Sequence, residues 1–218
     1  MKKITRCLLT FILAVAPSYA LCQEQDANAQ VVETLIRQAL AAEDSGQYSK
    51  SIELFKKILK IDTENAKAMN SIAGLYGKEG KFKEELEWAQ MAIKANPEFD
   101  LAYINQGNAY INLNNPADAE HSFRNAIALN PKSPLGVYSL GVMAENKKEF
   151  DKAIEYYRQS IEIDPKFENG YFSLAAMLAN TKQLDQAIAA LDELLAMNPT
   201  AADAQTMRAQ IINEKAKK

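Results

Sequence analysis

Residues 100–133 read DLAYINQGNAYINLNNPADAEHSFRNAIALNPKS. Tyr103, Gln106, Gly107 and Tyr110 recur at helical spacing, and beyond the break at Asn114-Asn115-Pro116 so do Ala119, Phe123, Ala126 and Ile127. The stretch therefore predicts two short amphipathic helices joined by a tight turn. Pro116 suits the first turn of the second helix, where its missing N–H would have no intrahelical partner. That helix stops at Asn130-Pro131. Proline has no N–H to donate and its ring drives the preceding residue out of the helical region, while asparagine tolerates a left-handed backbone.

The same stop recurs. Pro97, Pro131, Pro165 and Pro199 follow one another at 34 residues, preceded by Asn96, Asn130, Asp164 and Asn198; one period earlier, Asp62-Thr63 keeps the acid and lacks the proline. A fixed period in this range marks a stacked repeat. One column at this period is always small: Ala39, Ala73, Gly107, Gly141, Ala175 and Ala209. A second is small with one exception: Ser51, Glu85, Ala119, Ala153 and Ala187. A third is mostly large: Phe55, Ala89, Phe123, Tyr157 and Leu191. Small residues let two helices approach, and the large one fills the space between them.

The pattern Val137-x2-Leu140-Gly141, then Ala153-x3-Tyr157 and Pro165, resembles the tetratricopeptide repeat (TPR). The resemblance covers five units in phase: 32–65, 66–99, 100–133, 134–167 and 168–201. The segment 202–218 keeps the small residue Ala209 and turns polar, as a capping helix does, with Lys215, Lys217 and Lys218 favourably placed at its C-terminal end. The fold class this implies is all-α: a right-handed α-solenoid of helix-turn-helix units, the first helix of each lining the concave side. The first unit departs from the pattern at Gln38, Ala42 and Thr63, as a terminal repeat can. The second carries Glu85 where alanine is expected and Ala89 where a large residue is expected, with Trp88 adjacent and expected to cover the missing volume. Gly74 and Gly77 mark either a looser unit or a close approach by a partner's backbone.

The first 22 residues are written differently. Lys2, Lys3 and Arg6 precede the apolar run CLLTFILAVA at 7–16, Pro17 breaks it, and small residues offer cleavage after Ala20 or Cys22. This is the architecture of a secretory signal peptide, too short for a membrane span. Residues 23–31 are then a short linker and the mature protein is exported, with the periplasm the favoured compartment. Leu21 stands where bacterial lipoprotein signals carry a small residue, so an outer-membrane lipoprotein acylated at Cys22 is the lesser reading. Membrane contact is expected only if the leader is retained or Cys22 is lipidated. Both cysteines lie in or beside the leader, so packing rather than disulfides must hold the repeats.

Composition narrows the function. Apolar residues make up 48% and charged residues 24%, enough for burial and unlike a disordered chain. Loss of the leader removes three cations and no acid, taking the net charge from −3 to −6, so nucleic acid is not an expected partner. His121, the only histidine, sits beside Glu120, Ser122 and Arg124 on the outer stretch of a second helix. No catalytic constellation, zinc ligand set or phosphate loop can be assembled, so neither an enzyme, a cofactor nor a small-molecule substrate is expected.

The expected functional surface is the concave groove, occupied by a protein or peptide partner. Its candidate residues are Leu101, Ile104, Asn105, Asn108, Leu135, Tyr138, Val142 and Phe172. Ile104, Tyr138 and Phe172 are one period apart and would form a stripe flanked by amides, apolar anchors beside groups that can satisfy a ligand backbone. Packing between successive first helices is the other reading for Ile104 and Leu135, whereas Tyr138 and Phe172 are expected to be exposed in the groove. Asn105 and Asn108 are mid-helix, where asparagine has no local role; Asn112, Asn146 and Asn180 fall at helix ends and are expected to cap them. Some members of the family clamp a partner's terminal carboxylate with Lys-x-x-x-Asn. The matching pairs here, Ile36/Leu40, Asn70/Gly74, Ile104/Asn108, Tyr138/Val142 and Phe172/Ala176, contain no lysine. The alternative to a groove binder is a structural subunit of an envelope assembly, acting through its convex face or by self-association.

Overall fold

The computed structural model describes residues 27–217, and every regular element among them is an α-helix. The expected leader, with its candidate cleavage and lipidation positions, lies outside the described residues. Helix α1 occupies 27–44. It is followed by α2 (Tyr48–Ile61), α3 (Ala66–Lys78), α4 (Phe82–Ala95), α5 (Asp100–Asn112), α6 (Pro116–Leu129), α7 (Leu135–Asn146), α8 (Phe150–Ile163), α9 (Glu168–Asn180), α10 (Leu184–Met197) and α11 (Ala202–Lys215). Residues 27–31, expected in a linker, are helical instead: Val32 and Leu35 pack on the first core cluster, and the turns before them extend the same helix.

Two recurring turns shape the stack. Between the helices of a unit, Gly46, Gly80, Asn114, Lys148 and Lys182 occupy one column and all have positive φ, from 60° to 72°. The N–H after each reaches back six residues inclusive, as in Gln47 N–H to the Ala42 carbonyl (2.8 Å) and Asn115 N–H to the Tyr110 carbonyl (2.8 Å). This is the Schellman termination, which satisfies carbonyls left open by the helix end.

Between units, Asp62, Asn96, Asn130, Asp164 and Asn198 follow the last residue of each even-numbered helix with φ between −130° and −143°. Asn130, at φ −137° and ψ 79°, thus makes no use of the left-handed backbone that asparagine tolerates. Asp62 adopts the same backbone without a following proline, so the short polar side chain is the constant feature of this stop. Asp62, Asn96 and Asp164 each accept the N–H two residues on through Oδ1, at 3.3, 3.0 and 2.9 Å.

Helices pair within units and each pair packs on the next, giving a serial core rather than a central one. The small-against-large columns are visible atom by atom. A Cβ on Gly107 would lie 2.3 Å from the Phe123 ring, and one on Gly141 would lie 2.7 Å from the Tyr157 ring. Ala209 differs from its column: it is exposed, since none of the described helices packs over that face of α11. Helix α11 still caps α10, with Arg208 paired to Asp192 and Lys215 to Asp185.

Helix α5 touches both α3 and α7 directly, a closeness not matched between α4, α6 and α8. The stack is thus tighter on the side of the odd-numbered helices and curves towards them.

Candidate functional site

That inner side holds a cavity of about 620 Å³. Its walls are α3, α5 and α7, with Glu85 of α4 and Phe123 of α6 reaching in between them. The 34-residue period brings the wall together, because equivalent turns of successive odd helices face the same hollow.

Of the residues singled out from the sequence, Ile104, Asn105, Asn108, Leu135, Tyr138 and Val142 line this cavity. Leu101 is exposed but outside the cavity lining. Phe172 is half-buried, packed against the C-terminal core cluster, and is likewise not part of the lining.

Tyr138 lines the hollow but is not the exposed anchor that was expected. Its ring stands 5.5 Å from Tyr157 and 5.2 Å, edge-on, from Phe167, and its hydroxyl is 3.1 Å from the Ser173 hydroxyl. Aromatic residues bury large area, and here its own unit packs the ring while the next unit engages the hydroxyl. Asn105 is also engaged: its Nδ2 donates to the Asn70 carbonyl (3.2 Å) and to Asn70 Oδ1 (2.8 Å), tying α5 to α3. Both links join residues 35 apart, so the inner face is laced by polar contacts between successive units. Asn112 and Asn146 are the last residues of their helices and lie on the cavity wall; Asn112 Nδ2 donates to the Asn108 carbonyl at 3.0 Å.

The sequence reading noticed Glu85 only as an irregularity, yet it is the most unusual group on the wall. Its side chain is 4% exposed, its Oε2 has no hydrogen-bond partner, and burial raises its carboxyl from the ordinary 4.5 to about 7. Gly77 is what admits it: a Cβ there would lie 2.8 Å from the Glu85 carboxyl carbon. The signal was available as an acid in a column of small residues, eight positions after a glycine in a helix interior. Gly74 lines the same hollow, with the Asn105 amide 3.7 Å from the place a Cβ would take.

Trp88 is half-buried and packs on the core clusters of both the first unit and the Met69–Ala92–Ala102 group, so it fills the seam between units. His121 is exposed on α6. A second hollow, of about 340 Å³, lies between α8, α9 and α10, lined by Arg158, Glu162, Tyr171, Gln186 and Glu193 among others.

Similarity to known proteins accords with this architecture. Part of the Drosophila melanogaster protein O-mannosyl-transferase Tmtc3 is 34% identical over 84 residues, which is 38% of this chain and 9% of that protein's length. The crystal structure of TTC0263, a thermophilic TPR protein of Thermus thermophilus, superimposes with a TM-score of 0.74 at 20% identity, covering 83% of this chain and 98% of that one. YrrB, described as a TPR protein with an unusual peptide-binding site, superimposes with a TM-score of 0.52 at 18% identity, covering 84% and 98%. Tetratricopeptide repeat family models match residues 36–98, 104–166 and 146–211, most of the described chain, and the protein belongs to the tetratricopeptide repeat family.

Proposed function

We propose that the protein is a non-enzymatic scaffold of the bacterial cell envelope that holds a segment of a partner protein in its concave groove. The cavity between α3, α5 and α7 carries this reading: it combines apolar wall residues (Ile104, Leu135, Val142) with amides (Asn108, Asn112, Asn146) that can bond a ligand's main chain. Export rests on the leader-like sequence at 1–22. A photo-crosslinking residue at position 108, inside the groove, should capture one discrete protein in intact cells. The same residue at position 121, on the outer helix α6, should not. Equal capture at both positions, or none at 108, refutes the groove.

Assembly through the outer side is a second reading, supported by Ile61, Leu129 and Met197. These apolar residues end α2, α6 and α10 and remain exposed. An oligomer whose mass does not change on dilution would favour it.

A further inference from the structure

Glu85 sits in a column whose other members are Ser51, Ala119, Ala153 and Ala187, all completely buried. Ser51 is polar too, but its hydroxyl donates to the Ala39 carbonyl at 2.9 Å, so its need is met inside its own unit. No such bond reaches Glu85 Oε2. A buried polar atom left unpaired opposes folding, and alanine, present in three of the sister units, would avoid the penalty. The carboxyl instead occupies the space left by Gly77 and faces the cavity.

The other titratable groups on the cavity wall are Lys78 of α3 and Tyr138 of α7; α5 presents only amides and apolar side chains there. Lys78 is already committed, with its ammonium 2.7 Å from Glu43 Oε1 of α1. The Tyr138 hydroxyl is bonded with Ser173. The hollow thus contains an acceptor, walls of aliphatic and amide character, and no group of its own that serves the acceptor.

We propose that Glu85 anchors the groove's ligand by receiving a lysine ammonium from an extended segment of the partner protein, the segment's main chain lying along Asn108 and Asn112. This rests on the groove reading above and gives it a chemistry. A lysine stem can run along Ile104 and Val142 while its compact ammonium, a point charge on a flexible stem, meets the unpartnered Oε2. Burial raises the Glu85 carboxyl to about 7, so around pH 7 it is partly protonated and docking of the ammonium, which favours the charged form, releases that proton to solvent. Affinity therefore rises with pH through about 7.

The test is selection of a displayed dodecapeptide library on the full chain, followed by titration calorimetry of the selected peptide. Selected peptides should carry lysine at one fixed position. Glu85→Gln, or norleucine in place of that lysine, should each weaken binding about tenfold or more, and the two changes together should weaken it no further. Binding to the wild type should strengthen between pH 6 and pH 8, and binding to Glu85→Gln should not. Thermal melts confirm that Glu85→Gln folds. Peptides that bind Glu85→Gln equally but fail on the groove-blocking variant Asn108→Trp overturn the anchor and leave the groove standing. Peptides indifferent to Asn108→Trp, or a selection that returns none, overturn both. Equal binding of the lysine and arginine forms overturns the lysine assignment.

Discussion

The units at 66–99 and 134–167 share a backbone path and differ in where they put a carboxylate. In the later unit, Glu145 on α7 accepts a hydrogen bond from the Tyr157 hydroxyl of α8 at 2.6 Å, and Gly141 makes room for the Tyr157 ring. Burial and that bond together push the Tyr157 hydroxyl well above its ordinary value, so it stays a donor. In the earlier unit, Gly77 occupies the position equivalent to Glu145 and Ala89 that of Tyr157. The acid has moved to the opposite helix, as Glu85, and the hydroxyl that would hold it is gone. One period thus supports two outcomes: a closed unit whose polar pair is satisfied internally, and an open one whose acid faces the groove. A repeat fixes spacing, and the residues within each period decide whether a unit completes itself.

The contrast can be broken most visibly through pH. The carboxyl of Glu85, ordinarily at 4.5 and raised by burial to about 7, contributes no penalty below 4.5, where it is protonated whether folded or unfolded. Its destabilisation grows as pH rises from about 4.5 to about 7 and levels off above that, where the carboxyl is ionised in both states. Denaturant melts between pH 4.5 and pH 8 should show the wild type losing ~3 kcal/mol more stability than Glu85→Ala. Parallel pH profiles would remove the open unit from the picture.

Next in size is the role of glycine in each unit. Gly141→Ala should destabilise by about 1–3 kcal/mol, because the ring it meets is fully buried and cannot retreat. Gly77→Ala meets only the end of a glutamate side chain, so its cost should largely disappear in the Glu85→Ala background. A double-mutant cycle by chemical denaturation reads this coupling; strict additivity would separate Gly77 from Glu85.

The smallest effect concerns the turns. Gly80 ends α3 in the open unit, while Lys148 adopts the same left-handed backbone in the closed one, at φ 61°. Lys148→Gly should raise stability by up to about 1 kcal/mol, relief of strain being partly offset by glycine's greater freedom when unfolded. A lowered melting temperature would show that Lys148 contributes something other than backbone strain.

Much of this molecule is legible without coordinates. The 34-residue period predicts helix pairs, and the columns Gly107–Phe123 and Gly141–Tyr157 predict which atoms meet. It also locates the wall of the groove at Ile104, Asn108, Leu135 and Val142. The left-handed column could have been read too, from Gly46, Gly80 and Asn114. What escaped were matters of who else is nearby. Tyr138 looked like a free aromatic, but Phe167, at the end of its own unit, had claimed its ring, and Ser173 in the next unit its hydroxyl. Glu85 looked like a flaw in a column, since nothing in its local sequence reveals that its oxygen has no donor within reach.

Periodicity defined the architecture because helix registry and the small-facing-large rule are local constraints that act every 34 residues. Whether a given polar or aromatic group is satisfied is a sum over neighbours from other units. The isolation of Glu85, the engagement of Tyr138 and the existence of a hollow between α3, α5 and α7 emerged when the pairs stacked, since each depends on atoms more than one helix away.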